Sequence, residues 1–156
     1  MNNTYGVHEV NPFCVRAVAE HRMLHASFAG IRKLLAEHEA AGNVDQTAFD
    51  EAVRRLAVLR DALAEHFRRE EEGGYLEEAV GRKPALAHSA DQLQEEHARL
   101  LVLAEELLAD AGEARPLAES WPRLLEKYRT FDASLSRHEA AEDNLLQAAF
   151  NEDLGR

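Results

Sequence analysis

Apolar residues recur every three or four positions along four long stretches of the chain, which predicts four amphipathic helices. The first is predicted to begin at Asn11-Pro12 and to end near Ala41, before Gly42-Asn43. The second is predicted to begin with Thr47 as its cap and to end at Gly73-Gly74. Their apolar stripes are Leu24, Phe28, Ile31 and Leu35, and then Phe49, Ala52, Leu56, Leu59 and Leu63.

Two further helices follow a connector in which the stretch YLEEAV suggests a short helical turn. The third is predicted to begin near Pro84 and to end at Gly112, and the fourth to begin at Ser120-Trp121-Pro122. Their stripes are Leu86, Ala90, Leu93, Leu100, Ala104 and Leu107, and then Leu124, Tyr128, Phe131, Leu135, Leu145 and Ala149. Because short loops join the helices, we expect an all-α, up-down-up-down antiparallel four-helix bundle.

The length of 156 residues suits one domain. We predict a tail at 1–10, the bundle at 11–151 and a second tail at 152–156. The net charge of −11 would repel nucleic acid phosphates and anionic lipid, so we expect neither partner. The first residues resemble neither a signal peptide nor a membrane span, and Cys14 is the sole cysteine. These features favour a reducing, cytoplasmic location.

Polar residues interrupt the apolar stripes, and every predicted helix carries at least one of them. They are His21, His66, Glu70, His97, His138 and Glu142. Each glutamate follows a histidine by four residues, about one helical turn, so both side chains of a pair share one face. A buried carboxylate costs several kcal/mol unless it is paired or neutralised. Histidine and carboxylate groups facing one another therefore predict bound metal ions.

Counting residues from the predicted helix ends places His21 and His66 at one height, and His97 and His138 within about one turn of each other. Glu70 and Glu142 should lie on the same side of their histidines, where they could bridge two metals roughly 3.5–4 Å apart. His25 lies one turn after His21 and flanks the stripe, so it remains open whether it is a seventh ligand.

At these residues the sequence resembles the hemerythrin-like family, the HHE cation-binding domains. The family pattern is a histidine, an HxxxE pair, a histidine and a second HxxxE pair on successive helices, and the resemblance covers roughly residues 12–150. It implies a non-haem diiron centre with both glutamates bridging and room for dioxygen at one iron. Zinc or manganese could substitute for iron.

The chain differs from the oxygen-carrying hemerythrins at two positions. Carriers have another histidine four residues before the one on the third helix, where this chain has Leu93, and His25 could compensate. Carriers also use HxxxxD on the fourth helix, which makes Asp143 a reserve candidate for the role of Glu142. The resemblance therefore favours binding of dioxygen or a related ligand without specifying simple oxygen carriage.

Several functions remain compatible with this resemblance. We expect sensing, storage or carriage of dioxygen, peroxide or nitric oxide rather than turnover. The alternatives are a diiron enzyme acting on peroxide or dioxygen, and an iron-responsive or metal-storage module. Ferritin-like chemistry is disfavoured, because none of the four predicted ligand histidines on the stripes has an acidic residue three positions earlier.

A second group of polar residues is expected to lie outside the centre. His8, His38 and His88 fall in the tail, near a helix end or off the stripe. Glu71 and Glu72 are predicted to form a solvated helix end.

Overall fold

A computed structural model describes residues 12–42 and 44–150 of the chain. These residues form α1 (Pro12–Ala41), α2 (Gln46–Gly73), α3 (Tyr75–Arg82), a 3-10 turn (Pro84–Leu86), α4 (Ala87–Ala111) and α5 (Leu117–Phe150). No strand occurs within the described ranges, which confirms the all-helical prediction. The predicted tails, the predicted helix start at Asn11, and Asn43 lie outside the described residues, as do His8 and the side chain of Cys14.

The four long helices pack around a common core as a helical bundle. α1 packs against α2, α2 against α4, α4 against α5, and α5 against α1. The predicted stripes form this core, with only Leu86 and Ala149 partly exposed. Tyr128 and Phe131 are buried as expected, and the Tyr128 hydroxyl donates a hydrogen bond to the carbonyl of Phe28.

Two predicted helix starts were wrong. The cap of α2 is Asp45 rather than Thr47, because the Asp45 carboxylate accepts a hydrogen bond of 2.7 Å from the backbone N–H of Ala48. α5 begins at Leu117, before the predicted Ser120, and the carbonyl of Pro116 accepts the first hydrogen bonds of this helix. Both predicted starts lie within a few residues of the observed starts.

The connector after α2 forms a two-turn helix, α3, where only a turn was predicted. Gly74 joins the two helices with φ of 69°, a left-handed conformation that glycine adopts without a steric penalty. Because the chain changes direction at Gly74, α3 packs on α5, and Tyr75, Leu76 and Ala79 are buried against the bundle. α3 therefore closes the end of the bundle where α2 finishes.

A polar layer separates two apolar clusters in the core. The larger cluster includes Leu24 and Phe67, and the smaller one, around α3, includes Ala17 and Tyr75. On α1 the layer falls between Ala17 and Leu24, and on α2 it extends from His66 to Glu70. The six polar residues predicted from the stripes occupy this layer.

Candidate metal centre

The six polar residues predicted from the stripes are all buried, and their side chains converge in this layer. They form two groups in which the possible ligand atoms lie within 4.8 Å of one another. The first group is His21, His66, Glu70 and Glu142, and the second is Glu70, His97 and His138. The structure therefore brings these residues together as two adjoining donor sets that share one glutamate.

Glu70 lies between the two sets and turns one oxygen toward each. Its Oε1 lies 2.5 Å from Nε2 of His66 and 3.6 Å from Nε2 of His21. Its Oε2 lies 3.1 Å from Nε2 of His97. A carboxylate with its oxygens divided in this way has the geometry of a bridging ligand between two cations.

Glu142 also faces both sets, but through one oxygen. Its Oε2 lies 3.6 Å from Nε2 of His21 and 3.6 Å from Nε2 of His138. Its Oε1 accepts a short hydrogen bond from the hydroxyl of Tyr75 on α3. Tyr75 is thus a residue of the centre that the sequence analysis missed, because its position depends on α3 folding back onto the bundle.

Every one of the four histidines turns Nε2 inward and Nδ1 outward, where a carboxylate lies within hydrogen-bonding distance. The outer pairs are His21 with Asp143 at 3.1 Å, His66 with Glu20 at 2.6 Å, His97 with Glu71 at 3.0 Å and His138 with Glu96 at 2.8 Å. Such carboxylates fix the ring orientation and leave Nε2 with a lone pair for a metal. The arrangement is typical of metal-binding histidines.

These outer carboxylates were missed or assigned another role by the sequence analysis. Glu71 is exposed near the end of α2, as predicted, but it also lies against Nδ1 of His97, a contact that was not predicted. The reserve ligand Asp143 lies behind His21 rather than between the donor sets. Each of the four acids neighbours a stripe residue in the sequence, as Glu20 and Glu96 each precede a ligand-type histidine. This adjacency could have identified the outer carboxylates in the sequence. A residue next to a stripe residue points toward the edge of the neighbouring helix, where it can reach a histidine of that helix.

The electrostatics of the two glutamates differ strongly. Burial and the nearby Glu70 carboxylate raise the pKa of Glu142 to about 8. Burial would also raise the pKa of Glu70, but the imidazoles of His21, His66 and His97 outweigh it and hold that pKa well below its usual range. Two carboxylates confined together without a cation therefore share their negative charge unequally.

The histidines respond to the same surroundings. Burial would lower the pKa of His21, but Asp143, Glu142 and Glu70 outweigh it and raise that pKa to about 12. Burial likewise opposes the raised pKa of His66, where Glu70 dominates. For His138 burial prevails and lowers the pKa despite the neighbouring Glu96. Without metal, the first donor set thus retains protons that a cation would displace.

The inward-facing atoms fit cations better than they fit one another. Nε2 of His21 and of His138, both oxygens of Glu70, and Oε2 of Glu142 are buried and are not aligned with a hydrogen-bond partner. Buried polar atoms rarely remain unsatisfied. Nitrogen and carboxylate donors of this kind suit iron, zinc or manganese, so the residues present fit two transition-metal ions.

An aromatic ring closes the second donor set on the side of the larger apolar cluster. Phe67 stacks on His97 with ring centroids 4.1 Å apart and meets His138 edge-on at 5.5 Å. The apolar contact limits the movement of both imidazoles and excludes water from that side.

The remaining histidines lie apart from the two sets. The side chain of His25 is 58% exposed, and its Nε2 lies 2.6 Å from Oε2 of Glu139 rather than near Glu70 or Glu142. His38 packs edge-on against Trp121, and His88 is exposed. The structure therefore does not bring His25 into either donor set, and which of the candidates ligate a metal stays a prediction.

Comparison with known proteins gives one match. A family model described as the hemerythrin HHE cation-binding domain matches residues 16–150. No curated protein and no solved structure matches the chain. Among the described residues, no helix is both long and apolar enough to cross a membrane.

Proposed function

The chain belongs to the hemerythrin HHE cation-binding family, and from that premise we propose that it is a non-haem diiron protein that binds dioxygen or a related small ligand. The observation that carries the proposal is the pair of adjoining donor sets sharing Glu70. The proposal includes the family's antiparallel up-down-up-down order for the four long helices.

In this proposal the residues of the first donor set would hold one ion and those of the second the other. Glu70 and Glu142 would serve both ions and offset their charge, while the outer carboxylates would hold each imidazole in the tautomer that leaves Nε2 free. Ferrous ions, when bound, would supply the electrons that dioxygen chemistry requires. The protein residues orient these donors and exclude bulk water.

A narrow cleft beside the donor sets favours the proposal that the ligand is small. It has a volume of about 30 Å³ and touches His66, Glu70 and Tyr75 at its inner side, with Arg16 and Arg69 among its outer lining. A site needs about 10–15 Å³ on this measure to admit one water molecule, so the cleft has room for a molecule of that size. A diatomic molecule could approach Glu70 there.

A second candidate function is turnover of peroxide or dioxygen at the same centre. Tyr75 favours it, because its phenolic O–H is a proton donor already hydrogen-bonded to Glu142. Catalytic loss of added peroxide that requires Tyr75 would support this alternative over reversible binding.

The proposal is tested with iron-loaded protein reduced under anaerobic conditions and then exposed to dioxygen. We expect a visible absorption band that appears with the gas and disappears when the gas is removed. Irreversible oxidation, or no spectral change, would contradict reversible binding.

Two alanine-to-leucine substitutions on α1 test whether the ligand enters through the cleft. Ala17→Leu adds bulk to the lining of the cleft and should slow formation of the band without changing the iron content. Ala26→Leu adds the same bulk at an exposed position outside this lining and serves as the control. Equal rates in the two variants would exclude the cleft as the route for the ligand.

A further inference from the structure

His25 and Glu139, which we call the outer pair, connect the protein surface with its interior. The His25 side chain is 58% exposed, whereas Glu139 as a whole residue is only 3% exposed. Nε2 of His25 and Oε2 of Glu139 lie 2.6 Å apart. The pair therefore has an imidazole that solvent can reach and a carboxylate that solvent cannot.

The carboxylate of Glu139 is incompletely satisfied. Its Oε2 faces His25, but its Oε1 is buried and has no hydrogen-bond partner. An ion pair with an exposed histidine contributes at most about 1 kcal/mol to stability. That contribution is too small to explain why the carboxylate of Glu139 is buried. A buried oxygen without a partner is instead suited to accept a cation.

The outer pair continues the arrangement of the metal centre along the contact between α1 and α5. His25 follows His21 by four residues, and Glu139 precedes Asp143 by four and Glu142 by three. Four residues of helix rise about 6 Å. The outer pair is therefore one helical turn from the His21–Asp143 pair, and its imidazole is exposed to solvent.

We propose that the outer pair is a cation-loading position, where a divalent transition-metal ion binds between His25 and Glu139 before it passes to the two donor sets. The inference rests on the proposed metal-binding function, but it assigns His25 to the loading route and not to the final centre. The imidazole nitrogen and the carboxylate suit Fe²⁺, Mn²⁺ or Co²⁺. The net charge of −11 favours the approach of such a cation.

The test follows metal uptake by the full, metal-free chain. Co²⁺ is mixed rapidly with the protein, and its visible absorption reports arrival in a nitrogen and oxygen ligand set. The variant is His25→Gln, which keeps a hydrogen-bonding group beside Glu139 but removes the imidazole. His88→Gln, an exposed histidine on α4, is the matched control.

We expect His25→Gln to slow uptake about tenfold, the lower end of the effect that groups beside a metal's ligands have on affinity or activity. The final content should remain two ions per chain, and the control should load at the wild-type rate. Glu139→Gln should slow uptake in the same way. Circular dichroism identifies a variant that fails to fold. If one of His25→Gln and Glu139→Gln does not fold, the uptake rate of the other tests the loading position.

The possible failures are distinguishable. Unchanged uptake in folded His25→Gln or Glu139→Gln would overturn the loading position. A final content below two ions in His25→Gln would overturn it too, since His25 would then belong to the centre. Wild-type protein that binds no Co²⁺ would instead contradict the proposed function.

Discussion

Replacing Glu142 by glutamine should stabilise the metal-free protein while weakening its hold on metal. Glu142 is 1% exposed, and its carboxylate shares the polar layer with that of Glu70. Glutamine has nearly the same shape and can still accept the hydrogen bond from Tyr75. It cannot ionise, so the metal-free variant avoids the cost of protonating or burying this carboxylate when the chain folds.

The size of the effect follows from the pKa of Glu142, which burial and Glu70 raise from 4.5 to about 8. At pH 7 the carboxyl group stays protonated in the native state but ionises on unfolding. The difference of about 2.5 pH units, at about 1.36 kcal/mol each, costs the metal-free wild type about 3 kcal/mol. Above pH 8 the cost approaches about 5 kcal/mol, from about 3.5 units.

The sign of the pH dependence follows from a raised native pKa. Because the folded state binds this proton more tightly, its stabilising effect is complete below pH 4.5 and is lost as the pH rises through about 8. Wild type and Glu142→Gln should therefore be nearly equal near pH 4, and the variant should be the more stable at pH 7 and above.

Urea unfolding of the metal-free proteins, followed by circular dichroism at several pH values, measures this difference. Glu106→Gln makes the same substitution at an exposed position on α4 and controls for the loss of one negative charge. Metal titrations of the same samples should show weaker binding by Glu142→Gln. A metal-free variant less stable than wild type at pH 8, or a difference that does not change between pH 4 and 8, would refute the reasoning.

Three further predictions concern groups around the centre. Tyr75→Phe should weaken metal binding and lower the unfolding free energy of the metal-free protein by about 1–3 kcal/mol, because it leaves a buried oxygen of Glu142 without its hydrogen-bond donor. The control is Tyr128→Phe, which loses a hydrogen bond elsewhere in the core and should leave the metal affinity unchanged in calorimetric titrations. Glu71→Gln should reduce metal affinity about 10–100-fold, because Glu71 orients a ligand-type histidine, whereas the neighbouring Glu72→Gln should not; equal affinities in this pair would count against the outer carboxylates. His88→Ala should retain the wild-type metal content in elemental analysis, since His88 is exposed and outside both donor sets.

The stripes were predictable because helical periodicity is a local property of the sequence. His66 and Glu70 continue the rhythm of Leu56, Leu59 and Leu63 without a break, so their burial followed from spacing alone. The predicted heights also held for the two histidine pairs. The ring centroids of His21 and His66 lie 5.2 Å apart, and those of His97 and His138 lie 5.0 Å apart.

Other features depended on tertiary structure or on competition between similar signals. Tyr75 reaches Glu142 only because the backbone reverses at Gly74, and nothing in the local pattern around Tyr75 specifies where α3 docks. Asp45 and Thr47 are both good caps two residues apart, so spacing could not choose between them. His25 lies one turn from His21, yet the rotation of α1 turns it to Glu139 and toward solvent.

The bridging role of Glu70 is the central claim, and iron content in wild type and Glu70→Ala tests it most directly. Both proteins are produced with ample iron, purified and measured by elemental analysis together with protein concentration. Because Glu70 divides its oxygens between the two donor sets, we predict two iron ions per chain in wild type and the loss of both in Glu70→Ala. A Glu70→Ala protein that still holds two irons per chain would contradict the account.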